Sequence, residues 1–112
     1  MKKLSLAIAL VVSFFSCKSL SEITPKEGTF EVVSKQNLTL WNENHQSFSL
    51  HLQNTNAQNS CELYTVKNGR KKWISPSLLA NKSLDFDVPE NASVLIENYS
   101  TENVKINYSI TQ

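Results

Sequence analysis

The sequence is short of the features from which a function is usually read. It has two histidines, two cysteines, and eleven basic against ten acidic side chains in 112 residues. The near balance of charge excludes a nucleic-acid binder that works by bulk electrostatics. Neither His45 nor His51 has cysteines or carboxylates around it at metal-ligand spacing, so no metal site is expected. No nucleophile–base pair can be assembled from the spacing, so neither an enzyme nor a cofactor is expected. One domain is the most this length allows, which leaves no room for a cleft between two halves. No apolar run approaches the roughly 20 residues of a membrane-spanning helix.

What is present begins at the N-terminus. Met1, Lys2 and Lys3 form a short basic start, and residues 4–15 are apolar except for Ser5 and Ser13. A basic segment followed by an apolar run of this length describes a secretory signal. Residues 14–17 read Phe-Phe-Ser-Cys. A small residue directly before a cysteine, at the end of such a run, resembles the lipobox of bacterial lipoproteins. The resemblance implies cleavage before Cys17, acylation of that cysteine, and a membrane partner reached through its lipid. Ser19-Leu20-Ser21 offers an ordinary cleavage site as the alternative, which would give a secreted protein. Either route exports the chain.

If Cys17 carries lipid, Cys61 has no partner, and the body lacks the disulfides with which small exported domains usually reinforce a thin core. Cys61 is therefore expected to be a small buried hydrophobe at a strand start. Residues 18–28 are polar, without period, and interrupted by Pro25 and Gly28, as a tether would be. The expected organisation is a signal over 1–16, a lipidated cysteine with tether over 17–28, and a folded body over 29–112.

The body reads as strands. Asn, Gln, Ser and Thr make up 39 residues, a composition that disfavours helices. Phe48, Leu50 and Leu52 alternate with polar neighbours, as do Leu84, Phe86 and Val88, and Val104, Ile106, Tyr108 and Ile110. Weaker strands fit 30–33 running on to 38–41, then 61–67, 70–74 and 93–98. Asn68-Gly69 between two of them is the strongest local signal, because a type I′ turn needs positive φ at both central residues. Residues 78–82 fit either one helical turn or a crossing loop. About seven short strands with almost no helix predict an all-β fold, a small antiparallel β-sandwich similar to immunoglobulin-like or jelly-roll modules.

Two surface features invite a binding function. Lys67, Arg70, Lys71 and Lys72 surround the Asn68-Gly69 turn beside Trp73, a basic tip that would attract an anionic partner or simply blunt an exposed edge. Trp41, Tyr64, Trp73 and Tyr99 could form a platform for sugar rings, or else pack as core and rim. Asp85 and Asp87 share a strand face, but without the glycine and converging oxygens of a calcium loop they read as solvated. Five Asn-x-Ser/Thr triplets, at Asn37, Asn81, Asn91, Asn98 and Asn107, would be glycan acceptors only in a eukaryotic source. The reading that follows is a cell-envelope lipoprotein with a non-catalytic binding or structural β-sandwich. A small inhibitor or immunity-type protein acting through its basic hairpin is the alternative, and a secreted glycan-binding module is a third.

Overall fold

The computed structural model describes residues 23, 25–42 and 44–112; the signal and Cys17 lie outside the described residues. Eight strands follow one another with no helix among the described residues: β1 (Glu27–Val32), β2 (Asn37–Leu40), β3 (Phe48–Asn54), β4 (Glu62–Lys67), β5 (Arg70–Trp73), β6 (Ser83–Val88), β7 (Ser93–Glu97) and β8 (Val104–Thr111). All pairings are antiparallel, in two four-stranded sheets of order β1-β8-β3-β6 and β2-β7-β4-β5. The all-β expectation holds, with one strand more than expected. The stretch read as running on from residue 30 to 41 is broken by a turn, where Lys35 takes a φ of 64° and the Gln36 amide donates to the Val33 carbonyl at 3.0 Å.

This strand order is that of the jelly roll. In an immunoglobulin sandwich the first two strands pair within one sheet; here β1 and β2 lie in opposite sheets, which excludes that alternative. Residues 78–82 resolve as a crossing loop and not a helical turn. The Leu78 and Cys61 amides and carbonyls bond to each other at 2.9 and 3.0 Å, which holds the crossing to the start of β4.

Alternation positions the core. β3 is buried at Phe48, Leu50, Leu52 and Asn54 and exposed between them. Leu50, Leu52, Val88, Val104 and Ile106 from the first sheet meet Leu63, Val94 and Ile96 from the second, all nearly inaccessible to solvent. The body begins earlier than residue 29. Ile23 is buried, its amide donates to the Gln112 side chain at 3.0 Å, and β1 starts at Glu27. A single isoleucine in a polar stretch carries no period, which is why it read as tether.

Two buried amides tie connections to the body, and the one cysteine among the described residues, Cys61, forms no disulfide. Asn98 donates to the carbonyls of Val32 (3.0 Å) and Glu102 (2.8 Å) and accepts from the amide and hydroxyl of Ser100. Asn54 donates to the Asn59 and Leu78 carbonyls and accepts from the Asn56 amide. Asn98, the asparagine of one of the five Asn-x-Ser/Thr triplets, is thus committed to the interior. The polar-loop histidine His45 is also buried. Its ring nitrogens lie 2.8 and 2.7 Å from the carbonyls of Gln46 and Ala92, tying the β2–β3 loop to the β6–β7 turn.

The antiparallel pairings sort the connections between two ends of the sandwich. Ile23, the β2–β3 loop, the β4–β5 hairpin, the β6–β7 turn and the C-terminus share one end. The remaining turns lie at the other.

Candidate functional site

The site is built on the β4–β5 hairpin. Asn68 and Gly69 have φ values of 53° and 77°, the type I′ geometry expected of this dipeptide. β4 buries Leu63 and Thr65 and turns Glu62, Tyr64 and Val66 outward. β5, at the sheet edge, pairs Trp73 with Tyr64, Lys72 with Thr65, Lys71 with Val66 and Arg70 with Lys67. Directly opposed residues share a sheet face. Trp73 and Lys71 therefore join Tyr64 and Val66 outside, while Lys67, Arg70 and Lys72 share the side of Thr65. The basic cluster that sequence grouped into one tip is split by its own alternation.

On the outer face of β2-β7-β4-β5, register lines up Thr39, Leu95, Tyr64 and Trp73 in one cross-strand row. Asn37, Glu97 and Glu62 form the next. Trp73 is 52% exposed and Tyr99, just beyond β7, 64%. The Trp73 indole N–H donates to Ser77 Oγ at 2.6 Å, and that hydroxyl donates to Glu62 at 3.2 Å. The Tyr99 hydroxyl donates to the Glu97 carboxylate. That bond, followed by desolvation and the nearby charge of Glu97, pushes the phenol up to about 12. The Lys71 ammonium lies 4.4 Å from the Tyr64 ring centroid and 3.7 Å from Glu97.

Three of the four aromatics expected to make a platform therefore meet on this face, and the fourth does not. Trp41 packs edge-on against Phe48 and Tyr108, each at 5.5 Å between centroids, on the core side of the sandwich. Of the three, Tyr64 is capped by Lys71, and Trp73 and Tyr99 offer open ring faces. Glu62 and Glu97 supply acceptors beside them. Indole and phenol faces flanked by fixed carboxylates can stack a sugar ring and accept its hydroxyls.

At the hairpin end of the same sheet, Asn42, Asn44, Asn68 and Asn91 with Val66 and Gly69 line a shallow hollow of about 420 Å³. Val66 is the outward neighbour of Tyr64 along β4, so the hollow continues the aromatic face with amide donors and acceptors. Asn44, Asn68 and Asn91 adopt positive φ, a conformation asparagine tolerates better than most residues. Sequence reasoning missed this grouping because its members come from three separate connections.

The outer face of the other sheet carries a second arrangement visible only once register is known. Ser109 on β8, His51 on β3 and Asp85 on β6 stand in one cross-strand row. His51 Nδ1 lies 2.5 Å from Asp85 Oδ1, and Ser49 donates to Asp87 at 2.9 Å, so both aspartates have cross-strand partners. The residue types are those of a nucleophile, base and orienting acid. The row lies on an open sheet whose neighbouring backbone amides are taken up by the ladder, with no pair converging where an oxyanion would form. Ser109 and His51 share no hydrogen bond among the described residues.

Cys61 is buried and free of a disulfide. Burial, helped by the charge of Glu62, pushes its thiol up to about 11, the opposite of an activated nucleophile. It sits at the threshold of β4, where sequence placed it.

Two solved structures of one protein agree with the fold. The chain is similar to Drosophila melanogaster CENP-C in its complex with CAL1, with a TM-score of 0.55 and 12% identity over 81% of this chain and 68% of that one. The cupin-like domain of the same protein alone gives 0.54 and 11%, over 81% of this chain and 62% of that one. A de novo designed double-stranded β-helix gives 0.45 and 11%, over 76% and 97%. At these identities the likeness is one of fold alone. No family model and no curated protein matches the chain.

Proposed function

We propose that the chain is a cell-envelope lipoprotein whose jelly-roll body is a non-catalytic binding module. Acylated Cys17 holds the body at a membrane surface, and the outer face of β2-β7-β4-β5 meets the ligand. The observation that carries the binding half is the meeting of Trp73 and Tyr99, both exposed, with Glu62 and Glu97 on one sheet face. Large exposed aromatics are costly to leave in water, and grouped ones on an exported module suit a ligand with flat apolar faces and many hydroxyls. The neighbouring asparagine hollow adds uncharged amide donors and acceptors beside those carboxylates, so a glycan is the favoured ligand. The anchoring half rests on the signal and the Phe-Phe-Ser-Cys sequence.

A panel of soluble oligosaccharides titrated against tryptophan fluorescence tests the binding half. A saturable change that disappears in Trp73→Phe and weakens in Tyr99→Ala supports it; a panel with no response, or one unaltered by both changes, contradicts it.

A second reading, an envelope inhibitor or immunity-type protein, is favoured by the cations Lys67, Arg70 and Lys72 around a tight two-residue turn. It predicts capture of one envelope enzyme, lost when these three become Gln and unaffected by Trp73→Phe.

A further inference from the structure

The three cations that alternation turns away from the aromatic face line a space of their own. Lys67, Arg70 and Lys72, with Thr65, Asn68 and Pro89, bound a cleft of about 540 Å³ between the hairpin and the β6–β7 turn. A hydroxyl, an amide and three positive charges face it, and no carboxylate is in its lining. Glu90, next to Pro89, is exposed and outside it. Among the described residues the ion pairs are His51–Asp85 and Lys71–Glu97, so none of the three has a carboxylate partner.

Their placement works against the hairpin. Lys67 and Arg70 are directly opposed across β4 and β5, and like charges in that position repel. Lys72 follows Arg70 on the same face about 7 Å away. Blunting an exposed edge explains cations on β5. It does not explain Lys67 on β4, set opposite one of them. Lys71, on the same hairpin, shows how the chain neutralises a cation when it does so: with Glu97 and the Tyr64 ring.

We propose that this cleft binds a phosphate group, with the Arg70 guanidinium as a two-pronged donor and the Lys67 and Lys72 ammoniums as flanking charges. A planar guanidinium matches paired phosphate oxygens, and ammoniums act as point charges around them. The cleft opens at the end of the sandwich where Ile23 enters. Five residues separate Ile23 from Cys17, and the six steps between them span at most about 20 Å. Strand and sheet spacings put the hairpin about 17 Å across that end from β1, a distance that lets an anchored chain bring the cleft to lipid headgroups, while a soluble phosphate needs no anchor to reach it. The site depends neither on acylation of Cys17 nor on the aromatic face.

The test titrates the purified protein with two probes at low ionic strength. One is inorganic phosphate, followed by the backbone amide shifts of residues 67–72. The other is vesicles of phosphatidylcholine with and without phosphatidylglycerol, followed by co-sedimentation. Saturable binding of phosphate identifies a soluble source, and binding that requires phosphatidylglycerol identifies a lipid source. In either case the triple change Lys67→Gln, Arg70→Gln and Lys72→Gln weakens binding at least about tenfold, while Lys71→Gln leaves it unchanged. Circular dichroism shows that both variants keep the fold. Absence of binding to both probes, binding that survives the triple change, or equal loss in Lys71→Gln overturns the proposal.

Discussion

Lys71 sits over the ring of Tyr64, 4.4 Å from its centroid, and reaches Glu97 at 3.7 Å. One lysine thus bridges β5 to an aromatic on β4 and an acid on β7, and it is the only one of the four hairpin cations placed to do so among the described residues. The bridge pins the edge strand to the sheet on the outer face and leaves the other three cations to the inner side. Because Lys71 is half exposed, Lys71→Gln should lower stability by less than about 1 kcal/mol, read as a small drop in urea midpoint at unchanged slope.

The two tryptophans should separate folding from binding. Trp41 lies against Phe48 and Tyr108, and truncating it to Ala should cost about 2–4 kcal/mol through lost packing. Trp73 is half exposed, and Trp73→Phe should change stability by less than about 1 kcal/mol while removing the fluorescence response to ligand. Equal losses of stability from the two changes would mean that Trp73 is a packing residue and not a ligand contact.

Asn98 joins the end of β1 to the β7–β8 turn through four hydrogen bonds. Asn98→Ala removes the side-chain donor to the Val32 carbonyl and the acceptor of the Ser100 amide, and should destabilise by about 1–3 kcal/mol. Asn107→Ala, on an exposed position whose amide meets Thr29 and Gln53, should cost about 0.5 kcal/mol or less. Chemical denaturation of the two variants side by side checks the contrast.

The folded Cys61 thiol holds its proton up to about 11, whereas an unperturbed thiol releases it near 9. Above about pH 9 the folded state therefore binds more protons than the unfolded one, and stability falls as pH rises toward 11. Below pH 9 both states are protonated and Cys61 contributes no slope. Urea midpoints from pH 7 to 10 should show this decline in the native chain and a shallower one in Cys61→Ala. At pH 8 a thiol reagent should modify Cys61 only as fast as the domain opens.

Much of the scaffold was legible because one face of each sheet is dry. In β3 and β8 the period of two follows directly from burial on one side, and Asn68-Gly69 announced its hairpin because few other residues tolerate both turn conformations. β2 and β5 were weaker signals, being four-residue edge strands with mixed or exposed faces. The split of the basic cluster lies in the alternation of residues 70–73, yet counting charges along the chain merges what parity separates. Which aromatics meet depends on register: Tyr64 faces Trp73 and Leu95 because β5 and β7 flank β4. Trp41 resembles them in sequence and packs elsewhere. The burial of His45 and Ile23 depends on contacts 47 and 89 residues away, distances no local pattern encodes.

The proposed anchor at Cys17 is checked by the intact mass of the mature protein extracted from membranes. A chain beginning at Cys17 and heavier than its sequence by covalently attached lipid is expected, with Cys17→Ala moving the protein to the soluble fraction. A mature chain that begins elsewhere, or that keeps an unmodified Cys17 and stays soluble, would contradict it.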